Sequence, residues 1–187
     1  DRINVSDVRL ANLTRLFMLG DWLNDEDIAA ALPATCANGD VDAVVRSGRA
    51  LFQIVPASIP RHLRIFGGSP AAGGEHADVL IASDWGELAG VIPGHSHVMP
   101  VGGATRTLAA MAAYGAGERV LDVGTGCGYH AILAALCGAR VTATDVSARA
   151  LAYARLNAAL AGVTIDFRCG SLLDPVRERY DVVVLNP

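Results

Sequence analysis

The stretch "VLDVGTGCGYHA", Val120 to Ala131, constrains the fold of this chain more than any other. A short, mostly apolar run leads into Gly124-Thr125-Gly126-Cys127-Gly128, and a helical pattern begins directly behind the last glycine. Strand, glycine turn and helix in that order form the opening unit of a parallel α/β sheet. Glycine is required where the backbone turns sharply and where a ligand must approach it without a Cβ in the way. In such sheets ligands lie at the carboxyl ends of the strands, which is where this loop falls.

The residues around it keep the same rhythm. "GGATRTLAAMAAYG" predicts a helix ending at Gly115, "RVLDVG" a buried strand, and "YHAILAALCG" a helix. "RVTATD" follows as a strand, then a helix capped by Ser147 and closed by Gly162, then strands at "TIDFRCG" and "YDVVVLN". The expected fold class is α/β, a Rossmann-like sheet of which residues 101–187 hold the first four strands. Upstream the texture changes twice. Residues 1–55 predict three helices ("SDVRLANLTRLFMLG", "NDEDIAAALP", "GDVDAVVRSG") and a strand ("RALFQIVPA"), a small winged-helix-like module. Residues 56–100 are rich in Gly and Pro and predict a β-rich connector with strands at "HLRIF" and "DVLIASD".

Composition narrows the function classes. A net charge of −4 gives no general attraction to a phosphate backbone, and all 15 basic residues are Arg. No segment has the roughly 18 apolar residues that cross a bilayer, so no membrane partner is expected. Cys36, Cys127, Cys137 and Cys169 show no C-x-x-C pairing and are read as free thiols of a cytoplasmic protein. The chain opens without Met and stops after Asn186-Pro187, and both ends are expected to continue.

The glycine loop has an obvious rival reading, a nicotinamide dinucleotide site. Its fingerprint G-x-G-x-x-G needs glycine at 129, where this chain has Tyr129; the spacing here is G-x-G-x-G. Asp122 also stands two residues before the first glycine. A carboxylate there repels a pyrophosphate and suits a ligand bearing an ammonium group. On these residues the chain resembles the class I S-adenosylmethionine-dependent methyltransferases, methyltransferase-small-domain type, over about Val101 to Pro187. The resemblance implies a cofactor site made by Asp122, Gly124, Thr125, Gly126 and Gly128. It implies that Asp145 and Val146 hold the ribose end, and that Ser171 and Leu172 line the adenine. S-adenosylmethionine is then the cofactor and S-adenosylhomocysteine the product.

"VLNP" extends the resemblance to the subset carrying (Asn/Asp)-Pro-Pro-aromatic at the end of the fourth strand, which includes ribosomal RNA guanine and release-factor glutamine methyltransferases. A planar NH2 group is a poor nucleophile because its lone pair is delocalised. An Asn186 side-chain oxygen and the carbonyl of Pro187 can accept its two hydrogens and hold the nitrogen in line with a sulfonium methyl. Asn186 and Pro187 are therefore the candidate catalytic residues, and proline keeps the carbonyl in a fixed direction. More weakly, the N-terminal half resembles long actinobacterial-type proteins of the same class, through "ASDWGEL" and "HVMPVGGATRTLA".

The implied function is N-methylation of a planar amino or amide nitrogen, with an RNA base or a protein glutamine favoured over a small molecule. Natural-product methylation, a cyclase consuming the cofactor's own aminobutyl chain, and a non-catalytic binding module remain the alternatives. Residues 1–55 carry five Arg against eight acids, which favours substrate recognition or homodimerisation over duplex binding. His95 and His97 lack a third ligand and are not read as a metal site. Cys127 fills a position that needs a small residue, and Tyr129 and His130 are read as surface or packing residues at the helix start, with a contact of one of them to the cofactor as the alternative. Gly102, Gly103 and Thr105 begin a helix that either closes over the reacting centre or only positions its own element.

Overall fold

The computed structural model describes residues 12, 15–16, 24, 26–27, 45–46, 49–50, 52–66, 78–85 and 96–187. The chain forms two compact units, Asp1–Val55 and Pro56–Pro187. In the first, the Asn24 side chain accepts from the Asp27 N–H at 2.8 Å, as an N-cap residue does. The Asn12 amide donates to the Asp27 carbonyl and carboxylate, each at 3.2 Å. The rest of the first two expected helices, and with it the winged-helix-like arrangement, lies outside the described residues. The third is corrected at its end. Val45–Arg46 is a strand, β1, paired antiparallel with β2 (Arg49–Ala50). Ser47-Gly48 separates the two in sequence.

A two-stranded sheet joins β3 (Gln53–Ser58) to β4 (Asp78–Ser83). "HLRIF" between them is not a strand. Leu63 N–H closes a turn on the Pro60 carbonyl at 3.0 Å, and Phe66 N–H bonds the Leu136 carbonyl at 2.7 Å, so its backbone groups are used outside any ladder.

The remaining elements are α1 (Gly103–Met111), β5 (Arg119–Val123), α2 (Tyr129–Leu136), β6 (Arg140–Asp145), α3 (Ala148–Leu160), β7 (Asp166–Cys169) and β8 (Val182–Leu185). The last four strands form one parallel sheet in the order β7-β6-β5-β8. This is the expected α/β class, and each strand falls inside the run that predicted it. Helix α1 stops at Met111, short of Gly115. The Ala112 backbone turns extended, and its carbonyl accepts from His62 Nε2 at 2.7 Å. That partner lies 50 residues away, beyond the reach of a local helix pattern.

Val120 of β5, Val141 and Ala143 of β6 and Val184 of β8 form the core with Ala131 and Ala134 of α2. Burying each valine contributes on the order of 1.5–3 kcal/mol, and the alanines let α2 approach the sheet closely. Val183 and Leu185 alternate to the exposed side of β8. Among the described residues no helix is long and apolar enough to cross a membrane. Cys127 and Cys137 are buried free thiols, whereas Cys169 is exposed; Cys36 lies outside the described residues.

Candidate active site

The chain steps from β5 to β6 to β7 on one side, then returns to set β8 on the other side of β5. Such a reversal opens a crevice at the carboxyl ends of the central strands. A cavity of about 560 Å³ lies there, within the range of small-molecule sites. Asp122, Gly124, Thr125, Gly126, Asp145, Val146, Asn186 and Pro187 all line it, so residues from β5, β6, β8 and the loops behind them meet in one space.

Asp122 is buried at the base. Its Oδ2 accepts from the Thr125 hydroxyl at 2.6 Å and from the Ala131 N–H at 3.1 Å, which leaves Oδ1 for a ligand. Burial pushes its carboxyl up to about 6, and the nearby Asp145 charge adds to the rise against those two hydrogen bonds. An arriving ammonium group would reverse that shift. Asp145 closes β6. Its Oδ2 accepts from the Gly126 N–H at 2.9 Å and its Oδ1 from the Ser147 N–H at 2.8 Å. Each oxygen keeps a second lone pair, enough to receive a diol.

Gly124 and Gly126 have φ of +69° and +55°, and a Cβ on either would meet no atom within 4 Å. Left-handed backbone is what requires glycine there, and the space it leaves is open. Gly128 stands at the end of the loop, where α2 begins. It does not line the cavity; it caps α2, and a Cβ there would stand 3.0 Å from Ala154 Cβ. Its task is to let α2 and α3 close together. Ser171 and Leu172 are likewise not cavity residues. They lie in the turn after β7, tied to the end of β6 by the Thr144 hydroxyl on the Leu172 carbonyl (3.2 Å) and the Gly170 N–H on the Asp145 carbonyl (3.0 Å).

Asn186 directly follows β8, with its Nδ2 donating to Thr105 Oγ1 of α1 at 3.1 Å. Thr105, with Gly102 and Gly103, lines the same cavity, so α1 supplies a wall of it. Cys127 also lines it, but burial pushes its thiol up to about 11, which removes the thiolate a nucleophile needs.

Two polar clusters supporting this cavity escaped the sequence reading. Asn157, fully buried on α3, accepts from the Ala82 N–H (2.7 Å) and donates to the Ala82 carbonyl (2.8 Å) and the Cys127 carbonyl (2.8 Å). It pins β4 to the glycine loop. Asp84 receives both guanidinium nitrogens of Arg149, the Tyr153 hydroxyl at 2.8 Å and the Val98 N–H at 2.7 Å. Burial opposes its ionisation, but those donors outweigh burial and hold the carboxyl below its usual range. His97 Nδ1 stands 3.7 Å from the same carboxylate. The strap 96–100, which forms a further wall of the cavity, is thereby fastened to α3. A lone Asn on the apolar face of "LAYARLNAALAG" was the available signal for the first cluster. Asp84 and Arg149 lie 65 residues apart and left none.

Residues 99–187 match the methyltransferase small domain. That match covers 89 of the 187 residues. The methyltransferase small domain is S-adenosylmethionine-dependent, and the cavity suits that cofactor: a buried carboxylate for an ammonium, an open glycine cradle, and an acid at the next strand end for a diol. Over 71 residues the chain is 51% identical to the release factor glutamine methyltransferase of Deinococcus radiodurans, covering 37% of this chain and 26% of that one. It is 41% identical over 70 residues to the ubiquinone biosynthesis O-methyltransferase of Nitrobacter winogradskyi, covering 37% and 27%. Among solved structures, a ribosomal protein L11 methylase from Lactobacillus delbrueckii subsp. bulgaricus matches at 42% identity and a TM-score of 0.37, covering 38% of each chain. The chain thus spans about a quarter of the length of the curated relatives it matches.

Proposed function

We propose that this protein is an S-adenosylmethionine-dependent N-methyltransferase acting on a planar amino or amide nitrogen. One observation carries the reading: Asn186 reaches the cofactor cavity with its Nδ2 already engaged by Thr105, so its Oδ1 is the atom left to accept from a substrate.

Asp122 Oδ1 receives the ammonium of the cofactor's amino-acid end, and the Asp145 carboxylate receives the ribose hydroxyls. Gly124 and Gly126 let the backbone lie close beneath them. When bound, S-adenosylmethionine supplies a methyl group on a positively charged sulfur. Asn186 Oδ1 and the Pro187 carbonyl accept the two hydrogens of the substrate NH2, which turns the nitrogen's lone pair toward that methyl. Positioning of this kind accounts for several kcal/mol of barrier lowering without a covalent intermediate. The strap 96–100 and α1 exclude water from the reacting centre.

An RNA base or a protein glutamine is the favoured acceptor, in line with the release-factor relative. A second reading, a small-molecule acceptor, draws on the cavity wall, which carries two carboxylates and no arginine among the described residues. Incubating the full-length protein with methyl-labelled cofactor and separate RNA, protein and metabolite fractions tests both. Label in RNA or protein on nitrogen supports the first reading, label in the metabolites supports the second, and label in no fraction overturns both.

A further inference from the structure

Thr105 offers the cavity more than its bond to Asn186 uses. It is half-buried, lines the wall, and takes the Asn186 Nδ2–H on its Oγ1 at 3.1 Å. A threonine hydroxyl accepts and also donates. In a helix its hydrogen commonly goes to a carbonyl one turn back. No such bond forms here, and among the described residues nothing accepts from the Thr105 hydroxyl.

The reacting end of the cavity therefore carries a donor beside its acceptors. Bond lengths of about 1.23 and 1.33 Å put the oxygen and nitrogen of an amide about 2.3 Å apart. Thr105 Oγ1 and Asn186 Oδ1 thus lie within about 5.4 Å of each other. A donor and an acceptor that close match a planar group built the same way: an NH2 whose carbon also bears a carbonyl oxygen or a ring nitrogen. Such an edge closes a ring of hydrogen bonds in which every member donates once and accepts once. Asn186 donates to Thr105, Thr105 donates to the substrate's acceptor atom, and the substrate NH2 donates to Asn186 Oδ1. The second NH2 hydrogen is left for the Pro187 carbonyl. Bonds that run in one direction polarise one another, so the Thr105 contact makes the NH2 hydrogens stronger donors. A simple aromatic amine has the NH2 but nothing for Thr105 to meet, and it displaces water from the hydroxyl without replacing the bond.

We infer that Thr105 is a specificity-determining residue that donates to the acceptor atom beside the methylated nitrogen, restricting substrates to carboxamides and amidine-like base edges. This rests on the N-methyltransferase reading above, and a probe series separates the two. Saturation-transfer NMR titrations of the full-length protein, saturated with S-adenosylhomocysteine, would compare benzamide, 2-aminopyrimidine and aniline at neutral pH, where all three are uncharged. The variants are Thr105→Val, Thr105→Ser and Asn186→Ala, with Thr105→Ala in place of valine should that variant fail to fold. Wild type should bind the first two probes about fivefold or more tighter than aniline, the worth of one hydrogen bond. Thr105→Val should bring that ratio to about one, even where loss of the Asn186 contact weakens all three, and Thr105→Ser should keep it. Asn186→Ala should weaken all three, since each carries the NH2. A ratio near one in wild type, or a ratio that survives Thr105→Val, overturns the role of Thr105 while the N-methyltransferase reading stands. Binding of none of the probes, or no change in Asn186→Ala, overturns both.

Discussion

Asn186 Nδ2 donates to Thr105 Oγ1 across 3.1 Å, joining the end of β8 to the first turn of α1, 81 residues earlier. The bond fixes which way the Asn186 amide points, and so which atom a substrate meets. Thr105→Val should lower kcat by up to about tenfold, the worth of one hydrogen bond, with the Kd for S-adenosylhomocysteine unchanged. Thr105→Ser should restore kcat. Steady-state kinetics on the acceptor found by labelling, with calorimetry alongside, checks the split; equal loss of kcat and affinity would make Thr105 a packing residue.

Asn186→Ala removes the acceptor atom itself. Turnover should fall by about a hundredfold or more while cofactor affinity changes little, because the residue acts on the substrate nitrogen. Single-turnover methyl transfer at saturating cofactor is the direct measurement.

Asp122 predicts a pH dependence. Its carboxyl is raised from about 3.8 to about 6 by burial, so the unliganded fold favours the protonated form. The stability this contributes is complete below pH 3.8 and is lost as pH rises through about 6. Binding of an ammonium runs the other way, since it needs the carboxylate. The Kd for S-adenosylhomocysteine should therefore tighten from pH 5 to 7, by at most about tenfold per pH unit below 6, and then level off. Asp122→Asn should bind weakly and lose this slope; an unchanged slope in that variant would assign the titration to another group.

The polar anchors around the cavity are expected to matter more for stability than their number suggests. Asn157→Ala leaves the Ala82 N–H, the Ala82 carbonyl and the Cys127 carbonyl without their partner, a loss of about 3 kcal/mol or more. Asp84→Asn weakens the hold on Arg149 and should loosen the strap 96–98, raising the Kd for S-adenosylhomocysteine with a smaller change in melting temperature. Denaturation midpoints and calorimetry on the two variants separate these outcomes.

Much of the parallel sheet and its loop was legible because their signals are local. Apolar runs between glycines, helical spacing behind Gly128 and acids at two strand ends each report within a dozen residues. Expectations went astray where a distant group decided the outcome. Leu63 and Phe66 look like a strand until Pro60 and Leu136 take their N–H groups. The helix through Met111 looks longer until His62 takes the Ala112 carbonyl. Gly128 sits in the motif, and the approach of Ala154, 26 residues on, adds a packing reason for it that the motif does not show.

By itself the sequence determined the α/β class, the loop with its two acids, and the Asn-Pro at the end of the fourth strand, since backbone geometry and strand periodicity write those into neighbouring residues. Only the tertiary structure decided that Thr105 orients Asn186, that Asp84 and Arg149 fasten the strap, and that Asn157 pins β4 to the glycine loop. Each of those depends on which side chains meet after long stretches of chain close on each other, and no local pattern encodes such a meeting.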